Sequence, residues 1–144
     1  MNVYLDTSAY VKRYLNENNS DRIDSLFEDA YNKRIQITTS VLTIGEASIV
    51  FDKYSNRGII SNGDEFYEDF MNEMRYLRMI DSMNVIDLNT DIMIQSGKMC
   101  IDKHRPLADV IHIVSSLHNS DLFVTSDREQ NKIARESNLK TELV

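Results

Sequence analysis

Cysteine and proline are almost absent from the sequence, which has one of each among its 144 residues. A lone cysteine cannot form an internal disulfide, which excludes a disulfide-stapled secreted scaffold. No group of Cys and His residues has the spacing of a zinc site. No apolar run approaches the ~20 residues of a membrane-spanning helix, and the N-terminus lacks the basic region of a signal peptide. We therefore expect a cytoplasmic protein without a membrane segment.

Basic residues are also scarce, because 16 Lys and Arg stand against 23 Asp and Glu, for a net charge of −7. Affinity for nucleic acids comes largely from basic side chains that neutralise phosphates, so the overall charge argues against such a partner. Divalent cations held by clustered carboxylates would reverse the sign of the charge locally. The placement of the acids therefore matters more than their number.

The length, the apolar share of 42% and the charged share of 27% are those of one globular domain, residues 1–144. Strand-like and helix-like segments alternate along it. Strands are expected at residues 2–5, 34–38, 84–88, 121–125 and 140–144. Helices are expected near residues 9–15, 23–30, 41–54, 66–77, 91–103, 106–118 and 128–137. This alternation predicts an α/β fold, a three-layer α/β/α sandwich with a central, mostly parallel sheet of four to five strands.

Four acids stand out by their position. Asp6 ends the first expected strand, and Asp127 follows the fourth by two residues. Glu46 and Asp109 are isolated carboxylates on otherwise apolar helices, where burial is costly unless the acid is paired, protonated or bound to a metal. Residues at the carboxyl ends of parallel strands gather at one edge of the sheet. Converging carboxylates are typical of a Mg²⁺ or Mn²⁺ site, which suits phosphodiester hydrolysis.

The segments that hold these acids occur in the order and spacing of the PIN domain: VYLDTSAYVKRYLNE, SVLTIGEAS, LADVIHIVSSL and LFVTSDRE. The whole chain resembles the VapC-like toxin ribonucleases of type II toxin–antitoxin pairs. This resemblance implies a metal-dependent endoribonuclease that uses Mg²⁺ or Mn²⁺, forms a homodimer and is silenced by a small antitoxin protein. It also implies that Asp6, Glu46, Asp109 and Asp127 are the catalytic, metal-binding acids.

Further candidates flank the acids. The resemblance matches Thr7, Ser8 and Thr125 to supporting hydroxyl groups of the family. The candidates for binding the RNA substrate are the basic residues near the acids: Lys12, Arg13, Arg105 and Arg128. Each of these is more often an ordinary solvated charge. His112 lies three residues after Asp109 on the same helix face, and we expect a packed neutral histidine there.

Several alternatives stay open. An RNA-processing PIN nuclease, for example one that acts on ribosomal RNA, would carry the same acids without an antitoxin. A non-catalytic PIN domain that binds RNA or protein would not need all four. A phosphatase of the haloacid dehalogenase type would need a second Asp two residues after Asp6, where this chain has Ser8. A phospho-receiver domain does not suit the placement of Glu46 and Asp109 on helices.

Overall fold

The computed structural model describes residues 1–144 and contains one sheet of five parallel strands. The strands are β1 (Asn2–Leu5), β2 (Gln36–Ser40), β3 (Met83–Ile86), β4 (Leu122–Thr125) and β5 (Thr141–Leu143). Their spatial order is β3-β2-β1-β4-β5, and every neighbouring pair is parallel. The expected α/β class is confirmed, with five strands.

Seven α-helices connect the strands. They are α1 (Thr7–Tyr10), α2 (Ser20–Tyr31), α3 (Val41–Asn56), α4 (Gly63–Met79), α5 (Thr90–Lys103), α6 (Leu107–Leu117) and α7 (Arg128–Glu136). A 3₁₀ turn, Val11–Arg13, extends α1. No helix has the length and apolar character needed to cross a membrane.

Two strands, β2 and β3, are shifted from their expected positions, whereas β4 and β5 lie within their expected ranges. β2 starts at Gln36 rather than at residue 34, because Lys33 has a positive φ of 58° and Arg34 pairs with Asp29 at 3.0 Å. β3 ends at Ile86 rather than at residue 88, because the chain then turns towards Asn89, the N-cap of α5. The expected order of elements is otherwise found.

Alternating side chains of β1 belong to two separate hydrophobic cores, one on each face of the sheet. Val3 and Leu5 belong to a cluster of 20 buried residues that includes residues of α1 to α4. Tyr4 belongs to a second cluster, of 8 buried residues, which includes residues of α5, α6 and α7. Because successive side chains of a strand point to opposite faces, the sheet is the middle of three layers. The three-layer α/β/α arrangement is therefore confirmed.

The order of the strands creates a crevice at the carboxyl ends of β1 and β4. The chain runs outward from β1 through β2 to β3, and then returns to add β4 and β5 on the other side. The order thus reverses between β1 and β4, and such a switch point leaves a crevice at the carboxyl ends of the strands. Asp6 and Asp127 follow β1 and β4, which are hydrogen-bonded neighbours.

Candidate active site

All four sequence-predicted acids line one open pocket of ≈ 270 Å³ at this edge. Its lining consists of Asp6, Thr7, Ser8, Glu46, Ile49, Val50, Asp109, His112, Asp127 and Gln130. The acids come from four places in the chain: the ends of two strands, and the helices α3 and α6. The fold therefore gathers carboxylates that are far apart in sequence.

Asp6 is the deepest acid of the pocket, with only 2% of its surface exposed. Its side chain caps α1 by accepting from the Ala9 backbone N–H at 2.9 Å. The hydroxyl groups of Ser8 and Thr125 donate to Oδ1 and Oδ2 at 2.8 and 2.6 Å. Burial raises the pKa of Asp6, although the charge of His112 and these hydrogen bonds act in the opposite direction. Asp6 is therefore rigidly held but costly to ionise.

Two residues, Thr7 and His112, hold one oxygen of the Glu46 carboxylate. Its Oε1 accepts from the Thr7 hydroxyl at 2.7 Å and lies 2.6 Å from Nε2 of His112. Burial acts to raise the pKa of Glu46, but the hydrogen bonds from His112 and Thr7 and the charge of His112 outweigh it, and the pKa is lowered. The second oxygen, Oε2, has no hydrogen-bond partner within the protein. Glu46 is thus favoured in its ionised form with one oxygen available.

His112 is buried, as expected, but it also lines the pocket. The Tyr4 hydroxyl lies 2.9 Å from its Nδ1. Burial raises the pKa of Tyr4 well above its ordinary value, so this hydroxyl keeps its proton at neutral pH. On the other side of the ring, Nε2 donates a hydrogen bond to Oε1 of Glu46 at 2.6 Å. The sequence prediction missed this contact, although the three-residue spacing from Asp109 was a signal for it.

Asp109 and Asp127 share one cation, Arg105. Its Nη2 lies 2.7 Å from Oδ2 of Asp109 and 3.8 Å from Oδ2 of Asp127. Asp127 also caps α7, because its Oδ1 accepts from the backbone N–H groups of Glu129 and Gln130 at 2.8 and 3.0 Å. Oδ1 of Asp109 has no hydrogen-bond partner within the protein. Arg105 therefore offsets the repulsion between two neighbouring carboxylates.

Gln130 is a further pocket residue that the sequence did not reveal. It is 3% exposed, and its Nε2 donates to the backbone carbonyl of Asp109 at 3.1 Å. The Thr125 hydroxyl, which donates to Asp6 at 2.6 Å, also lies 3.1 Å from Oε1 of Gln130. Gln130 therefore links α6 to the end of β4. A glutamine in a polar helix carries no sequence signal for this role.

The four basic candidates separate into two groups. Arg105 lies at the pocket, and Arg128 is exposed at the first position of α7, next to Asp127. Lys12 is buried, and its ammonium donates to the Asn18 backbone carbonyl at 2.6 Å. Arg13 forms ion pairs with Asp24 and Glu73. The structure therefore does not bring Lys12 and Arg13 to the pocket, because internal partners engage both side chains.

The donor chemistry of the pocket fits a hard divalent cation. No three His, Cys, Asp or Glu side chains are arranged to hold one metal ion together. Mg²⁺, however, is usually bound by one or two carboxylates, with waters and substrate phosphate as its other ligands. Oε2 of Glu46 and Oδ1 of Asp109 are oxygens that no protein group engages. The pocket thus offers two unengaged carboxylate oxygens, the type of ligand that Mg²⁺ and Mn²⁺ prefer.

Several solved structures are similar to this chain. VapBC2 from Rickettsia felis, bound to a DNA fragment from its promoter, matches with a TM-score of 0.62 and 17% identity, covering 99% of this chain and 98% of the other. Mycobacterium tuberculosis VapC20, described as a toxin that cleaves the sarcin-ricin loop, matches with a TM-score of 0.66 and 12% identity, covering 91% and 94%. VapBC-1 from nontypeable Haemophilus influenzae matches with a TM-score of 0.56 and 14% identity, covering 99% and 98%. At these identities the likeness shows a shared fold.

The sequence itself matches a family model. A comparison of this chain with curated proteins found no match. The model described as PIN domain, however, matches residues 3–136, which include all four acids of the pocket. The chain therefore belongs to the PIN domain family.

Proposed function

We propose that this protein is a metal-dependent endoribonuclease that hydrolyses RNA phosphodiester bonds. The observation that carries this proposal is the meeting of Asp6, Glu46, Asp109 and Asp127 in one open pocket. Uncompensated carboxylates repel one another, and a purely structural role does not require four of them. Membership of the PIN family and the fold shared with an RNA-cleaving toxin, VapC20, support RNA as the substrate.

Asp6 and Asp109 are the proposed main ligands of Mg²⁺ or Mn²⁺, and Glu46 and Asp127 complete the acidic set. A divalent cation held there supplies positive charge to the phosphodiester oxygens and makes an attacking water more acidic. Asp6, whose pKa is raised by burial, would be favoured in its ionised form when a divalent cation is bound. Cation binding by these acids would reverse the local charge, which is how a protein with a net charge of −7 would accept a polyanion.

The surrounding side chains fix the orientation of the acids. Ser8 and Thr125 hold both oxygens of Asp6, which limits its rotation. Thr7 and His112 hold Oε1 of Glu46 and leave Oε2 free to accept a hydrogen bond from water. Such supporting contacts are worth roughly 10- to 100-fold in metal affinity or activity.

We further propose that the protein is the toxin of a toxin–antitoxin pair. Two of the similar structures are described as VapBC assemblies, and this chain covers 98% of the matched chain in each. In this proposal a small antitoxin protein covers the acidic pocket, and the toxin acts as a cytoplasmic homodimer. Co-expression with the gene that lies directly upstream tests this part, because an antitoxin would restore growth that the nuclease arrests.

Cleavage of a panel of total RNA tests the nuclease proposal. We expect the wild-type protein to cleave RNA with Mn²⁺ and not with EDTA. Asp6→Asn and Asp109→Asn should each reduce the cleavage rate by at least ~100-fold, the upper scale of lesions around metal sites. Asp21→Asn is the matched control, because Asp21 is exposed in the first turn of α2 and does not line the pocket. Equal cleavage by all four proteins would refute the proposal.

A further inference from the structure

Helix α7 differs in charge from every other α-helix of this acidic protein. It contains Arg128, Lys132 and Arg135 against Glu129 and Glu136. In none of the other α-helices do Lys and Arg outnumber Asp and Glu. The long helices α2 and α4 are strongly acidic. α7 is therefore the one α-helix with a net positive charge.

The three basic residues of α7 share one face. Their spacing is i, i+4 and i+7, which places them along one side of the helix over about 10 Å. All three are exposed, and none forms an ion pair. By contrast, Arg13, Arg22 and Arg105 are all paired with carboxylates. The basic face of α7 (Arg128, Lys132 and Arg135) is thus free to bind an anionic partner.

The acids of α7 do not cancel this face. Glu136 lies 3.7 Å from the ammonium of Lys103, which compensates its charge. Glu129 lies about 100° around the helix from Arg128, on the flank of the basic face. The remaining positive charge therefore points in one direction.

The basic face of α7 leads directly away from the acidic pocket. Asp127, which lines the pocket, is the N-cap of α7, and Arg128 is the next residue. Further along, Arg135 and Lys140 line a surface groove of ≈ 690 Å³ between α7 and β5. Asn131 lines the same groove, and its Oδ1 is buried without a hydrogen-bond partner. The surface beside α7 therefore continues the positive charge of this helix with Lys140.

We propose that the basic face of α7, continued by Lys140, binds the phosphate backbone of the single-stranded RNA that flanks the cleavage site. This inference rests on the proposed ribonuclease function and extends it from the pocket to the path of the substrate. Lys and Arg bind RNA mainly by neutralising phosphates, and such contacts position a strand without reading its sequence. Arg105, at the pocket itself, is committed to Asp109, whereas Arg128 directly follows the pocket residue Asp127 and forms no ion pair.

Salt-dependent binding measures this contribution. The probe is a fluorescently labelled, single-stranded RNA of about 12 nucleotides, a length typical of such binding sites. The protein carries Asp6→Asn, which prevents cleavage, and anisotropy gives the affinity from about 50 to about 200 mM salt with Mn²⁺ present. Each lost phosphate contact reduces the slope of log affinity against log salt by about 0.7 for single strands. We expect the triple change Arg128→Gln, Lys132→Gln, Arg135→Gln to reduce the slope by about 2.

A control triple removes the same charge elsewhere. Lys33, Arg75 and Arg78 are exposed residues near the other edge of the sheet, where β2 and β3 begin. Their replacement by Gln should leave the slope unchanged. An unchanged slope for the α7 triple, or equal losses for both triples, overturns the proposal. If the wild-type protein cleaves RNA while the α7 triple leaves the slope unchanged, the ribonuclease proposal stands and only the α7 proposal fails. If the wild-type protein neither cleaves nor binds RNA, both proposals are refuted.

Discussion

Two groups of charged side chains in this protein, one around Glu73 and one in the acidic pocket, differ in how completely they are paired. Glu73, on α4, accepts hydrogen bonds from Arg13, Tyr14 and Tyr31, which use both of its oxygens. Arg13 also pairs with Asp24 at 2.7 Å and stacks its guanidinium 5.2 Å from the ring centroid of Phe27. The Glu73 cluster therefore has no free carboxylate oxygen on its central residue.

The acidic pocket is organised in the opposite way. Asp109 and Asp127 share Arg105, Glu46 contacts His112, and Asp6 forms no ion pair. Glu46 and Asp109 each keep an oxygen without a protein partner, and burial raises the pKa of Asp6. Buried polar groups are normally satisfied, and exceptions concentrate at functional sites. The comparison suggests that the Glu73 cluster stabilises the fold, whereas the pocket gives up stability in favour of binding.

The largest expected effect on stability is that of Glu73→Ala. The change leaves Arg13 without its main partner and Tyr14 and Tyr31 without their acceptor, and loss of hydrogen bonds to a half-buried charged group costs about 1.5 to 3 kcal/mol. Unfolding in urea should show this loss, and RNA cleavage at a temperature where the variant is folded should be unaffected. Glu68→Ala on the same helix is the control, since Glu68 is exposed and unpaired. A loss below about 0.5 kcal/mol, the scale of neutral surface changes, would remove the distinction between the two clusters.

A change of opposite sign is expected for Asp6→Asn in EDTA. Because burial raises the pKa of Asp6, its ionised carboxylate costs folding free energy at neutral pH, and each tenfold rise in proton affinity corresponds to about 1.4 kcal/mol. Asn still accepts from Ala9 and Ser8, so the variant should be more stable than the wild type in EDTA and unfold at a higher temperature. Thermal unfolding at neutral pH measures the gain.

The pH dependence of this gain gives a second check. Because the folded state of the wild-type protein holds the Asp6 proton more tightly than the unfolded state, the wild type loses stability as pH rises through the unfolded and then the folded pKa. The advantage of Asn should therefore shrink in acid and be nearly absent at about pH 3. A variant less stable than the wild type at neutral pH would show that the hydrogen bonds to the carboxylate outweigh its burial.

The sequence predicted the acids of the pocket well because each carries a local signal. Asp6 and Asp127 follow strands, and Glu46 and Asp109 interrupt apolar helices. The order of strands and helices was also predictable, since hydrophobic periodicity alternates along the chain. The exact ends of β2 and β3 were not, because a left-handed residue and a helix cap set them rather than hydrophobicity.

The partners of charged side chains could not be predicted in the same way. Glu73 is one of several acids on α4, and only its contacts with Arg13 and Tyr31 distinguish it. Arg13 itself follows the first acidic motif, a position that suits substrate binding, yet it turns towards α2 and α4. Such choices depend on which distant elements the fold brings within reach of a long side chain. Sequence patterns report burial, but they do not report these pairings.

The smallest effect, and the sharpest test of the comparison, is expected for Arg105→Gln. In EDTA the variant should lose about 0.5 kcal/mol, the scale of a partly exposed ion pair, because Asp109 and Asp127 lose their shared cation. In Mn²⁺ the variant should be more stable than the wild type, since the metal no longer competes with Arg105 for these carboxylates. The rise in Tm on adding Mn²⁺ should therefore be larger for the variant than for the wild type. Arg22→Gln removes an ion pair with Glu142 outside the pocket and should leave the Mn²⁺-dependent rise unchanged. A smaller rise for Arg105→Gln would mean that Arg105 organises the acids for the metal rather than substituting for it.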